Sequence, residues 1–190
     1  MLPRNKYLIC ICKVLIITLF GVSFAMASGK PFESFDPNKS RSWSFFTDGV
    51  MGGVSSGKAF VSKSGSDNFV RLVGNVSTAN NGGFIQIRHS LKKSLEKDIR
   101  GISLKVRGNG EKYYVFIRTS STFLPWQFYN ASFGTSKNWK IVKINLDVFQ
   151  PSSSFLRKTI KSSSIKSIGI VAYGRDHEAK VDISEIHFFK

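Results

Sequence analysis

The chain has 190 residues, a formal net charge of +16, 42% hydrophobic and 13% aromatic residues. That much apolar and aromatic content excludes a disordered polyelectrolyte and is enough to build one core. With 12 acidic residues, three histidines and two cysteines, the composition argues against a disulfide scaffold, a thiolate metal site or a carboxylate-rich cation sensor.

The N-terminus opens with Arg4, Lys6 and Lys13, followed by the apolar run Val14 to Phe24 and then Ala25-Met26-Ala27. A basic n-region, a short h-region and an A-x-A site predict a secretory signal peptide over 1–27, cleaved after Ala27. The run is well short of the roughly 20 apolar residues that span a bilayer; the alternative is an uncleaved membrane anchor. Cys10 and Cys12 leave with this segment, so the exported chain carries no thiol. Residues 28–41 read as a loose leader, and 42–190 as one domain without internal repeats.

Strand-like runs lie at 42–46, 57–62, 69–74, 83–88, 101–107, 112–119, 126–133, 139–146, 167–173 and 179–188. Turn-forming stretches such as Asn80-Asn81-Gly82-Gly83 and Gly108-Asn109-Gly110 separate them. This punctuation predicts an all-β protein, a single β-sandwich of jelly-roll type. Ser90 to Arg100 has room for a helical turn. Gln150 to Ser164 reads as a long loop.

The first two strands flank Asp48-Gly49-Val50-Met51-Gly52-Gly53-Val54-Ser55-Ser56-Gly57. Four glycines in ten residues predict a corner that needs φ > 0 or a close approach, most acutely at Gly52 and Gly53. Asp48 is placed to accept backbone N–H bonds there, and Val50 and Met51 to plug the corner into the core. A loop that contacts a partner is the competing reading, which makes Asp48, Met51, Gly52 and Gly53 candidate contact residues. Gly53 to Gly57 also fits G-x-S-x-G around Ser55, but no helix is predicted after it, as a nucleophile elbow requires. The Walker-type GxxxxGK[ST] pattern is absent.

Alternation sorts the strands into faces. Ile85 and Ile87 oppose Phe84, Gln86 and Arg88. Tyr113, Val115 and Ile117 oppose Tyr114, Phe116 and Arg118. The second set mixes rings with planar hydrogen-bonding groups, the chemistry of a sugar- or peptide-binding surface. Gln86, Arg88 and Arg118 are its candidate residues, extended by Trp126, Gln127 and Tyr129. Asp176 and Glu178 form the densest acidic cluster, a weak pattern for Ca²⁺. No catalytic, cofactor or metal residues are assigned. The basic residues, such as Lys92, Lys93, Arg157 and Lys158, read as a solvated surface, with an anionic membrane face, polysaccharide or protein as alternative partners. Export and the absence of a motif argue against nucleic acid.

Several of these stretches occur in an order that resembles the complex I intermediate-associated protein 30 family. They are the Gly-rich run, Asn80-Asn81-Gly82-Gly83-Phe84, Leu104-Lys105-Val106-Arg107-Gly108-Asn109-Gly110, Tyr129-Asn130-Ala131-Ser132-Phe133 with Trp139, and Ile165-Lys166-Ser167-Ile168-Gly169. The resemblance covers about 43 to 188. It implies a galactose-binding-like β-sandwich and a non-catalytic assembly factor or chaperone that binds a protein complex. A carbohydrate-binding module is the alternative, with a hydrolase behind it. A monomer is expected. Sequencing the N-terminus of chain recovered from an exported fraction is expected to start at Ser28; full-length chain in the cytoplasm is the contrary result.

Overall fold

The computed structural model describes residues 30–38 and 43–190. Among these residues, eleven strands form two antiparallel sheets. In chain order they are β1 (Ser44–Thr47), β2 (Ser56–Ser64), β3 (Asp67–Val76), β4 (Phe84–Ser90), β5 (Gly101–Gly108), β6 (Lys112–Thr119), β7 (Tyr129–Gly134), β8 (Lys140–Asn145), β9 (Gln150–Pro151), β10 (Ile165–Tyr173) and β11 (His177–Phe189). One sheet has the order β1-β4-β10-β6-β7-β9, the other β2-β3-β11-β5-β8. The chain passes repeatedly between them, and the result is the jelly-roll sandwich expected.

The predicted alternation holds. Ile85, Ile87, Tyr113, Val115 and Ile117 of the six-stranded sheet face Ile102, Leu104, Val106, Val181 and Ile183 of the other across one core. The two central strands, β10 and β11, are the last of the domain. Ile168, Ile170, Val171 and Ala172 of β10 are all buried, as a strand covered on both faces requires.

Residues 30–38, expected as a loose leader, belong to the domain. Phe35 is buried in the core. Glu33 pairs with Ile186 through backbone bonds, and its carboxylate accepts from Trp43 Nε1 at 3.0 Å and Phe35 N at 2.7 Å. Ser90 to Arg100 forms no helix; a turn within it closes where Ile99 N donates to Glu96 O at 3.4 Å.

The glycine-rich corner is a one-turn 3-10 helix over Asp48–Met51, with Thr47 as its N-cap and Gly52 closing it at φ +87. Val50 and Met51 do not plug it; they are 74% and 60% exposed. The plug is Asp48, which is fully buried. Its carboxylate accepts from Ser55 N at 2.9 Å, Ser55 Oγ at 2.5 Å, Gly83 N at 2.5 Å and Phe84 N at 3.2 Å. Ser55 Oγ in turn accepts from Ser77 N. Two glycines make room for this anion: a Cβ on Gly53 would lie 2.3 Å from Asp48 Cγ, and one on Gly82 would lie 2.4 Å from Oδ2.

Burial alone would raise the Asp48 carboxyl. The donors of Gly83, Ser55 and Phe84 together outweigh it and hold the group below its ordinary value of 3.8. A carboxyl with a depressed native pKa contributes stability that is present above its unfolded value and is lost as pH falls through the native one. Asp48→Ala is expected to cost about 3 kcal/mol, since it leaves several buried donors without an acceptor, or about 6–12 °C in Tm. Asp48→Asn should flatten the acid limb of the stability profile below pH of about 4. Gly53→Ala should destabilise more than Gly52→Ala, because only the first collides with the carboxylate. Thermal denaturation against pH measures all three.

Candidate functional site

The outer face of the six-stranded sheet carries the polar and aromatic residues that alternation singled out. The register sets them in rows. One row runs Ser44, Arg88, Gly169, Phe116, Asn130, Gln150; the next runs Phe46, Gln86, Val171, Tyr114, Ser132. The middle strand contributes small side chains, and the flanking strands contribute large ones. Gly169 leaves room for Gln86 Oε1, which would stand 3.3 Å from a Cβ there.

On the β6–β7 side the rings form one cluster. Phe116 and Phe128 stack at 4.0 Å between centroids, and Tyr173 meets Tyr114, Phe116 and Phe128 edge-on. On the β4 side the Arg88 guanidinium lies 4.6 Å over the Phe46 ring. Arg118 sits near enough to Arg88 to feel its charge. Burial first, and the charge of Arg88 second, push its pKa below the ordinary arginine value. Arg118 Nη2 donates to the carbonyls of Thr122 and Leu124 at 3.1 and 2.9 Å. Among the described residues, neither arginine has a carboxylate within ion-pair distance. The result is a desolvated, electropositive spot beside a ring cluster, suited to an acceptor-rich ligand that also offers a flat apolar surface.

The opposite sheet shows what a neutralised arrangement looks like. There Asp182, 3% exposed, accepts from Arg71 Nε at 2.7 Å and Arg107 Nε at 2.8 Å. Those guanidinium groups lie over Phe69 and Trp139. Sequence reasoning missed this cluster; β3, β5 and β11 carry its members on their outward phase, but only the register brings them together.

The residues singled out from the sequence divide clearly once placed, and several need correction. Arg88, Gln86 and Arg118 share the face as expected. Trp126 lies on the loop joining β6 and β7, 63% exposed. Tyr129 and Gln127 do not extend the face. Both are buried: Tyr129 occupies the inward phase of β7, whose outward phase is Asn130 and Ser132, and Gln127 turns into the loop that precedes it. Gln127 Oε1 accepts from Phe123 N and Leu124 N and shapes the loop. Asp48, Gly52 and Gly53 build the corner, and Asp48 has no surface to offer a partner; Met51 alone of that group is an open apolar side chain. Ser55 is closed into the Asp48 network, with β2 rather than a helix after it and no histidine among its partners. Asp176 is tied to Thr78, accepting from its N and Oγ1 at 2.7 Å each. A cleft of about 560 Å³ beside Arg100, Leu146, Ile160 and Phe189 lies away from the ring cluster.

The sequence profile of the complex I intermediate-associated protein 30 family matches residues 32–183. No curated protein sequence matches the chain. Among solved structures, the family 11 carbohydrate-binding module of a cellulosomal cellulase from Clostridium thermocellum superposes with a TM-score of 0.69 at 14% identity, over 84% of this chain and 93% of that one. The same module in complex with a β-1,3-1,4-mixed-linked tetrasaccharide gives 0.69 at 15% identity, over 84% and 94%. A family 30 carbohydrate-binding module gives 0.53 at 13%, over 72% and 92%. At such identities the likeness is one of fold.

Removing Arg118 frees the loop it clamps, whereas removing Trp126 removes a solvent-exposed ring. Arg118→Ala is therefore expected to lower stability by about 1–2 kcal/mol, and Trp126→Ala to leave Tm unchanged within error. Differential scanning fluorimetry of the two variants separates the roles; equal Tm losses would contradict them.

Proposed function

The chain belongs to the complex I intermediate-associated protein 30 family, and we propose that it is a non-catalytic binding module of the assembly-factor kind, exported and acting on a protein complex of the envelope. The observation that carries this reading is the pair Arg88 and Arg118, unneutralised and set beside the Phe116, Phe128 and Tyr173 rings. An arginine kept without a carboxylate at a half-buried site is available to carbonyl and carboxylate groups of a partner. The rings supply apolar contact area, and truncating anchors of this type typically costs about 2 kcal/mol of binding or more. Tyr114, Gln86 and Asn130 complete a surface of mixed character, apolar at its centre and polar at its edge, as protein interfaces are.

Export restricts the partner. In a bacterium, a chain released on the outer side of the inner membrane does not meet the cytoplasmic arm of complex I. The partner in this reading is therefore a membrane-embedded or externally exposed subunit of a respiratory or other envelope complex.

A second reading has its own support. Solved carbohydrate-binding modules share the fold, and stacked rings with amide and guanidinium groups also suit a sugar. The fold alone does not decide, because the same sandwich carries different sites.

Affinity capture from envelope extracts and a glycan array, run with the parent chain and Arg88→Glu, discriminate between the two. The assembly-factor reading expects reproducible protein partners that weaken at least about tenfold with Arg88→Glu and no glycan signal. Glycan binding that fails with Arg88→Glu, without protein partners, would replace it with the second reading.

A further inference from the structure

The sandwich has two ends. One holds Asp48. At the other, β4, β6 and β11 finish and β10 begins, and three connections cluster there: 91–100, 120–128 and 152–164. Ser152 joins two of them, its Oγ donating to Trp126 O at 3.0 Å and accepting from Phe128 N at 3.0 Å. Leu91 N donates to Lys166 O at 2.7 Å and brings the third alongside.

These connections are built, yet they point large apolar side chains into solvent. The 120–128 loop is fixed by Gln127 from within and by Arg118 from the sheet. Even so, Phe123 is 83% exposed, Trp126 63% and Phe155, three residues after Ser152, 91%. Rings held in water by a rigid backbone mark a surface that meets something apolar. The surroundings are cationic. Arg157, Lys158, Lys161 and Lys166 are exposed, Lys92 and Lys93 stand on the adjoining connection, whose two acids, Glu96 and Asp98, are paired with Lys190, and no acidic residue occurs from Lys112 to Leu146 or from Val148 to Arg175. The chain also enters the domain here: Phe32 packs on Phe188 and His89, and Glu33 pairs with Ile186.

We propose that this end docks on an anionic lipid surface. Phe123, Trp126 and Phe155 enter the boundary between headgroups and acyl chains, where the amphipathic indole settles and the phenyl rings bury apolar surface. Arg157, Lys158, Lys161 and Lys166 meet the lipid phosphates. Protruding rings and a basic rim together give the two-part attraction that interfacial binding needs. Docked this way, the domain stands on the membrane with the Arg88–Arg118 face directed sideways, along the bilayer plane.

The test uses the full chain with vesicles of phosphatidylcholine alone or with about 30% phosphatidylglycerol, some made with brominated acyl chains. Tryptophan emission is expected to be quenched in the anionic brominated vesicles, and Trp126→Phe to remove most of that quenching. Phe123→Ser with Phe155→Ser, and separately Arg157→Glu with Lys158→Glu, are expected to lower partitioning at least about tenfold. Unchanged Tm confirms that the fold is intact. Equal binding to neutral vesicles, quenching that survives Trp126→Phe, or partitioning insensitive to both double variants would each overturn the proposal. So would loss of a protein partner, rather than of vesicles, in the Phe123/Phe155 variant, which would make the tip a protein contact.

Discussion

A buried anion with no cationic partner among the described residues holds one end of this sandwich together. Asp48 lies where the chain crosses between sheets twice, from β1 to β2 and again from β3 to β4. Its carboxylate joins the start of β2, through Ser55, to the start of β4, through Gly83 and Phe84, and Ser55 extends the link to the end of β3. A buried charge with no partner would be prohibitive; one that accepts several N–H and O–H bonds becomes a node that orders every chain segment donating to it. The glycines of the corner follow from this. Gly53 and Gly82 are the space the carboxylate occupies, and the exposure of Val50 and Met51 is the result of a polar residue taking the inward position.

The two outer faces show opposite solutions to the same problem of placing arginine beside rings on a sheet. On the five-stranded sheet, one buried aspartate bridges two arginines, and the charges are internally balanced. The six-stranded sheet has no such acid at the corresponding place among the described residues, and its arginines are satisfied by a ring and by backbone carbonyls. The first arrangement is complete in the isolated chain. The second leaves hydrogen-bonding capacity and positive potential for something outside it, which is why the two faces, similar in composition, differ in what they can do.

Most of the sandwich was legible in the sequence because strands such as β4, β6 and β7 alternate. Ile85 and Ile87, and Tyr113, Val115 and Ile117, announce their inward phase without ambiguity. Phase became unreadable at the entry to β7, where Trp126, Gln127 and Tyr129 are all large and polar-tipped; the loop ends at Phe128, and only the register with β6 shows that Tyr129 turns inward. The role of residues 30–38 was hidden for a different reason. Phe32 and Phe35 lie in no periodic pattern, and a single buried ring at φ 52 is dictated by tertiary packing rather than by local sequence. The Arg71, Asp182 and Arg107 bridge joins strands far apart in the chain, a pairing that no local pattern encodes.

Both sheets take their central strand from the last part of the domain. Until β10 and β11 have been made, β4 has no neighbour on one side, β6 and β7 form a separate ribbon, and β3 and β5 present open edges toward each other. The core residues Ile168, Ile170, Val181 and Ile183 are missing from the same period. The pairings that close the fold are long-range ones, which form slowly because a large loop must close before any contact rewards it. A nascent domain of this design stays unlocked for most of its synthesis, since its keystones leave the ribosome after every strand they join. That ordering makes loss of the two final strands far more damaging than the loss of an edge strand.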